Sequence, residues 1–196
     1  MTTNINHLVN ARNALNELNA HQVIVGIPAD NDFLNMIALV QEMGKHIQSK
    51  KYPYLVIPTG NAQGRKTSEI VGLYRRGHAL GIDDDSQPYG FKVMFVLKKS
   101  VDIPSRPFIR YTQDHYQDNW TSLLNDCVMD ILMERKTPKD VYKVLGEQMV
   151  SDMQKTLDNF SDPKNAPLTE NRKGFNNPLI DTKRLRNSIT YMVIKK

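Results

Sequence analysis

Few stretches of this chain carry residues at a spacing that chemistry requires. Gly60-Asn-Ala-Gln-Gly-Arg-Lys-Thr67 follows a predicted strand, as a phosphate-binding loop does. That loop needs four residues between its glycines and a lysine directly after the second, so that backbone amides wrap the phosphates and the ammonium reaches them. Here three residues separate Gly60 from Gly64, and Arg65 stands before Lys66. A flexible basic loop accounts for the same residues. Asp83-Asp-Asp-Ser86 offers hard oxygen ligands, but a calcium loop ends on a glutamate at its twelfth position, where this chain has Met94. His7, His21, His46, His78 and His115 give no zinc spacing with Cys127 or with one another. Cys127 falls on an apolar helix face, where an inert thiol is expected, and no Gly-x-Ser-x-Gly elbow occurs. The residues thus point to no enzyme, no metal and no cofactor.

The elements follow from periodicity. Leu8, Val9, Leu15 and Leu18 predict an amphipathic N-terminal helix, an arm over 1–20. Val23 to Ile27 predict a strand. Asp32 is expected as the cap and Gly44 as the stop of a second helix. Tyr54 to Thr59 and Gly90 to Ser100 read as strands. Between them, residues 60–90 hold six glycines and one proline and read as a loop-rich insertion, with a short helix expected near Ser68–Arg76. Trp120, Leu123, Leu124, Cys127, Val128, Ile131 and Leu132 form the strongest helical stripe in the chain, on a helix expected over 112–136. Thr137-Pro-Lys-Asp140 opens the next helix, with Thr137 as cap and Pro138 at the first position. A loop, a short helix near Asp181–Ser188 and a last strand close the chain. The fold class is α+β: a small mixed or antiparallel sheet packed against two long helices, in a single domain over 1–196.

Composition sets the limits. Hydrophobic residues make up 40% and charged residues 24%, the balance of a globular chain. One cysteine forms no internal disulfide and suits a reducing compartment. The N-terminus lacks an apolar signal-peptide core, and no apolar run is long enough for a bilayer. The formal net charge of +5 permits an acidic or nucleic-acid partner without requiring one. Residues 111–160 hold nine acids against five bases, and 161–196 hold eight bases against three acids. Such opposition suits head-to-tail contacts between copies.

Val101-Asp-Ile-Pro-Ser-Arg-Pro-Phe-Ile-Arg110 stands apart. Pro104 and Pro107 fix their own φ and bias the preceding residues toward extended geometry. The stretch is expected as a stiff connector that sets the angle of the long helices. Arg106 and Arg110 either point outward or pair with carboxylates of the same chain.

Three stretches, Gln41-Glu-Met-Gly-Lys-His-Ile47, Ile103-Pro-Ser-Arg-Pro-Phe-Ile109 and Pro178-Leu-Ile-Asp-Thr-Lys-Arg-Leu-Arg-Asn-Ser-Ile189, together resemble the small neck and tail-completion proteins of long-tailed bacteriophages, relatives of minor tail protein Z. The likeness runs over residues 20–196. Met43 stands where the family has an aromatic residue, and Lys183 where it has a glycine, which is expected to turn a tight turn into a helix start. The segment 60–90 reads as an insertion. The resemblance implies a structural virion protein, made in the host cytoplasm, that forms a ring of six at the head–tail junction or tail end. Its implied partners are copies of itself and other neck and tail proteins, with DNA passing through the channel and no membrane. A basic nucleic-acid-binding protein is the alternative reading. The expected interface residues are Arg106, Phe108, Arg110, Arg65, Lys66, Arg75, Arg76, Lys183, Arg184 and Arg186. Arg106 is expected to touch a neighbouring subunit, and 60–90 to project from the body.

Overall fold

A computed structural model describes the backbone of residues 2–196, and the side chains from residue 6 onward. The fold is α+β. The described residues divide into two compact units that interleave along the chain. Unit 1 comprises residues 1–42, 107–160 and 179–196, and unit 2 comprises 43–106 and 161–178. The expectation of one domain did not foresee this division.

Unit 1 holds helices α1 (Thr2–Ala20), α2 (Asp32–Met43, whose last residue passes into unit 2), α3 (Phe108–Leu132), α4 (Pro138–Asn159) and α6 (Arg184–Asn187), with strands β1 (His21–Gly26) and β8 (Thr190–Lys195). The two strands pair antiparallel, His21 opposite Lys195 and Gly26 opposite Thr190, and the ribbon lies on α4. This is the expected packing of a small sheet on the long helices.

The α3 stripe is buried or half-buried from Trp120 to Ile131, and its last residue, Leu132, is exposed. Cys127 and Ile131 are buried with Val141 of α4, and Ala14, Leu15 and Leu18 of α1 pack against them. The N-terminal helix is therefore docked along its second half, and the Tyr142 hydroxyl donates to the Glu17 carbonyl (2.8 Å) to hold it. A second cluster gathers Ala38, Phe108, Met153, Leu157, Leu179, Leu185 and Ile189.

Side-chain caps fix the starts of two helices. Thr137 and Asp140 form a reciprocal box at α4: the Thr137 amide donates to Asp140 Oδ2 (2.9 Å), and the Asp140 amide donates back to Thr137 Oγ1 (3.3 Å). Backbone and hydroxyl bonds from Thr137 hold the Asp140 carboxyl below its usual range. At α2 the capping side chain is Asn31 rather than the expected Asp32, since Asn31 Oδ1 accepts from the Leu34 amide (3.2 Å).

One polar side chain is sunk between α3 and α4. Asp152 is 2% exposed. Trp120 Nε1 donates to it (2.9 Å), as do Gln148 Nε2 (2.9 and 3.0 Å) and Lys155 Nζ (3.0 Å). Burial pushes its pKa up, but the bonds from Gln148, Trp120 and Lys155 outweigh burial and leave it lowered. Trp120, which the periodicity counts only as apolar, thus also brings a donor.

Unit 2 contains two further antiparallel sheets. Strands β2 (Lys45–Gln48) and β7 (Ser100–Ile103) form a ribbon. The larger sheet runs β3 (Leu55–Pro58), β6 (Phe91–Lys98), β5 (Ala79–Asp83) and β4 (Tyr74–Arg76), in that spatial order. A short helix α5 (Pro167–Lys173) completes the unit in a segment expected as loop.

The segment 60–90 is therefore corrected. It supplies β4 and β5, half of the four-stranded sheet, and its Ala62 and Ile70 are buried with Met94 and Phe95 in the core of unit 2. The expected helix near 68–76 is a single 3₁₀ turn, Thr67–Glu69, followed by β4. Gly77, at φ +61°, lies in the two-residue loop between β4 and β5, and Gly81 is buried within β5. Within unit 2 the segment is part of a sheet and of its core and not a free loop.

Gly146 sits in the middle of α4, where glycine ordinarily costs about 1 kcal/mol against alanine. Here the sign reverses, because a Cβ would run into the Tyr191 ring of β8. Gly146→Ala is expected to destabilise the protein by about 1–3 kcal/mol in chemical denaturation. In a Tyr191→Ala background the same substitution should become neutral or stabilising, and equal losses in both backgrounds would contradict the close approach.

Candidate functional site

The three stretches that set this chain apart each have a defined structural task. In unit 1 the first is carried by Glu42, which is 7% exposed. Its Oε2 accepts from the Ile109 amide (2.9 Å), and its Oε1 from the Arg110 amide (3.3 Å) and Arg110 Nε (2.9 Å). The Arg110 Nη2 also donates to the Glu42 carbonyl (3.3 Å). Residue 107, the residue before α3, is a proline with no capping side chain, and the first turn of α3 has no acid of its own. A carboxylate from α2 thus does the work of a cap. It satisfies orphan amides and sets a negative charge at the positive end of the helix dipole.

In unit 2, Gly44 takes φ +72° and lies against the Ile103–Ser105 backbone. A Cβ there would stand 2.8 Å from the Ser105 nitrogen and 2.9 Å from the Ile103 oxygen. The same contact line carries the β2–β7 pairing. Glycine is required at this position both for its dihedral and for its missing side chain.

Arg106 is turned inward and is 4% exposed. Its Nε donates to the Pro163 carbonyl (2.9 Å) and its Nη2 to the Lys164 carbonyl (3.0 Å). Within unit 2 it clamps the connector to residues 163–164 of its own chain. The expected contact with another subunit is replaced by this intrachain grip, because a guanidinium at this depth does not reach the surface. Phe108 is likewise not at an interface: it is 1% exposed and central to the larger core of unit 1.

The other expected residues lie on the surface, in two groups. In unit 1, Arg110 extends from its pairing with Glu42. Arg186 Nε donates to both Asp158 oxygens (2.8 Å each). Arg184 lies over the Phe33 ring, 5.9 Å from its centre. Lys183 is exposed and left-handed, at φ 60°. The helix expected at this point begins only after it, at Arg184, and the residue keeps the conformation of a turn. In unit 2, Arg65 Nε donates to the Ala62 carbonyl (3.3 Å), and the Lys66 amide donates to Glu69 (2.8 Å). Arg75 and Arg76 stand on β4.

Unit 1 also has an apolar cleft of about 450 Å³ bordered by β1, α3 and α4, with Val23, Trp120, Leu124 and Met149 in its walls. Among the described residues, no group of three or more His, Cys, Asp or Glu could hold a metal ion, and no helix is long and apolar enough to cross a membrane. Comparison with family models, curated proteins and solved structures finds no match to this chain.

Sequence reasoning gave Glu42 no role of its own. The signal was present: an acid two residues before a glycine that stops a helix, in a chain whose longest helix starts after a proline. Two measurements separate these roles. Glu42→Gln is expected to cost about 1–2 kcal/mol and Glu42→Ala about 2–3 kcal/mol in chemical denaturation, since the amides of Ile109 and Arg110 lose a charged acceptor. Stability unchanged in both would remove Glu42 as the cap. Arg106→Ala is expected to cost about 2–3 kcal/mol in the isolated chain, with Arg106→Lys recovering only part, because a lysine does not span two carbonyls as a guanidinium does. A wild-type melting temperature in both variants would contradict the intrachain clamp.

Proposed function

We propose that this chain is a structural protein of a tailed-bacteriophage virion that catalyses no reaction. Copies of it form a ring of six at the head–tail junction or tail end, around the channel through which DNA passes. The observation that carries the reading is that each of the three stretches sets one or more buried or close-packed residues into the frame, although each also carries exposed ones. Glu42 caps the longest helix, Gly44 and Arg106 fix the connector, and Leu179, Ile180, Leu185 and Ile189 of the third stretch are buried. A likeness confined to exposed residues would say little about a shared frame.

Under this reading the surfaces that meet other copies and other neck or tail proteins are built from exposed residues. They include Arg110, Lys183, Arg184, Arg65 and Lys66, and exclude Arg106 and Phe108. The reading is tested by disrupting the coding sequence in the phage that carries it. Heads and tails are expected to accumulate separately and to join when the chain is supplied in trans, and six-fold rings are expected when joined particles are imaged with the labelled chain. Infectious, fully joined particles assembled without the chain would overturn it.

A further inference from the structure

Charge is not shared evenly between the two units. Unit 2 holds fourteen Lys and Arg against seven Asp and Glu, a net +7, whereas unit 1 holds twelve against fourteen, a net −2. The excess positive charge of the whole chain therefore resides in the smaller unit.

Within unit 2, the exposed edge of the larger sheet gathers arginine and aromatic rings. β4 is an edge strand, and its three residues Tyr74, Arg75 and Arg76 are all exposed. Successive strand residues point to opposite faces, so Arg75 and Arg76 straddle the edge. Arg75 lies over the Tyr54 ring, 5.0 Å from its centre, and its Nε donates to the Gly77 carbonyl (2.9 Å). Arg76 lies over the Phe91 ring, 5.6 Å from its centre, and its Nη1 donates to the Tyr89 carbonyl (3.1 Å).

Each guanidinium is thus oriented by a ring and a carbonyl that occupy one of its faces and one of its N–H groups. Neither of these contacts involves an acid. The remaining donors form the fork that suits a phosphate. Tyr89, whose carbonyl accepts from Arg76, is 90% exposed. A buried hydrophobic role does not explain it.

We propose that this edge of unit 2 is a sequence-independent binding surface for a nucleic-acid strand. Arg75 and Arg76 grip backbone phosphates, and Tyr89 offers its ring to a base where bases are unpaired. An acidic protein surface would also be drawn to the charge. The exposed ring of Tyr89 beside Arg76 favours nucleic acid, whose unpaired bases offer flat faces for it to stack on. The proposal goes beyond the virion reading and does not depend on it, since it concerns the free chain.

The test uses the full chain and fluorescence anisotropy with a labelled oligothymidylate of about 20 nucleotides and a duplex of the same length. Binding is expected to weaken steeply as salt rises from about 50 to 200 mM. Arg75→Glu/Arg76→Glu should weaken it about tenfold or more and lower the salt slope by about 1–2. Lys195→Glu/Lys196→Glu, an equal change of charge in unit 1, should have much less effect. Arg75→Gln/Arg76→Gln, with an unchanged melting curve as the control for folding, should lie between wild type and the glutamate pair.

Tighter binding of the single strand points to base stacking, and equal binding points to phosphate contact alone; either upholds the surface. Three results would overturn it: no binding at the lowest salt, equal losses from the two glutamate pairs, or competition by polyglutamate as strong as by unlabelled oligonucleotide. The assay needs no particle, so its failure leaves the virion reading standing, and failure of that reading leaves the assay intact.

Discussion

A helix of 25 residues that begins without a cap of its own needs an acceptor from elsewhere, and unit 1 depends on the one it has. Pro107 cannot supply a side-chain oxygen, and Phe108 is committed to the core. The amides of Ile109 and Arg110 are met by Glu42, at the end of a helix 67 and 68 residues earlier in the chain. The carboxylate is nearly buried, so it owes its stability to these donors and to the Arg110 guanidinium. Once the start of α3 is held there, its stripe faces α4 and α1, and the Phe108 side chain reaches Met153 and Leu157. Everything that packs on α3 in unit 1 inherits the direction given by that cap.

Unit 2 uses the same part of the chain in a different way. Its connector is stiffened covalently by Pro104, closed upon by a glycine with no room for a side chain, and anchored by Arg106 on two carbonyls. Proline stiffening reduces the freedom lost on folding. The arginine then fixes what the prolines leave open. The two carbonyls that Arg106 holds belong to the backbone and do not titrate.

What could be read from the sequence was whatever had a strong period or a cap. The α3 stripe, the Thr137–Asp140 box, the Phe91–Lys98 strand and the last strand all declare themselves locally, and the structure has them where expected within a few residues. The hairpin of β4 and β5 did not. Its loop is Gly-His instead of Asn-Gly, its first strand is three exposed residues without alternation, and the bulge at Leu80/Gly81 breaks the period of the second. β5 exists because β6 is there to pair with, and β4 because β5 is, and a partner strand leaves no mark on a strand's own sequence. The roles of Glu42 and Arg106 were hidden for the same reason: their partners lie more than fifty residues away. Charge was visible, but its distribution was not. Counting along the chain set an acidic middle against a basic tail, whereas folding sorts the same residues into a basic unit 2 and a slightly acidic unit 1.

The two substitutions relative to the resembled pattern can be weighed in the same physical terms. Met43 is 62% exposed, so no core requires an aromatic ring at that position, and the essential neighbours are Glu42 and Gly44. Lys183 is more costly. A side chain at φ 60° loses about 1–2 kcal/mol relative to a glycine. The local structure offsets that cost: the Asn187 amide donates to the Lys183 carbonyl (2.9 Å), and Leu185, two residues on, is buried in the same cluster as Phe108. The turn is held by Leu185 and Asn187, on its C-terminal side, and not by the freedom of the residue that makes it. Lys183 takes the left-handed conformation of a turn and is at the same time the N-cap of α6, so the turn and the expected helix start fall at one residue.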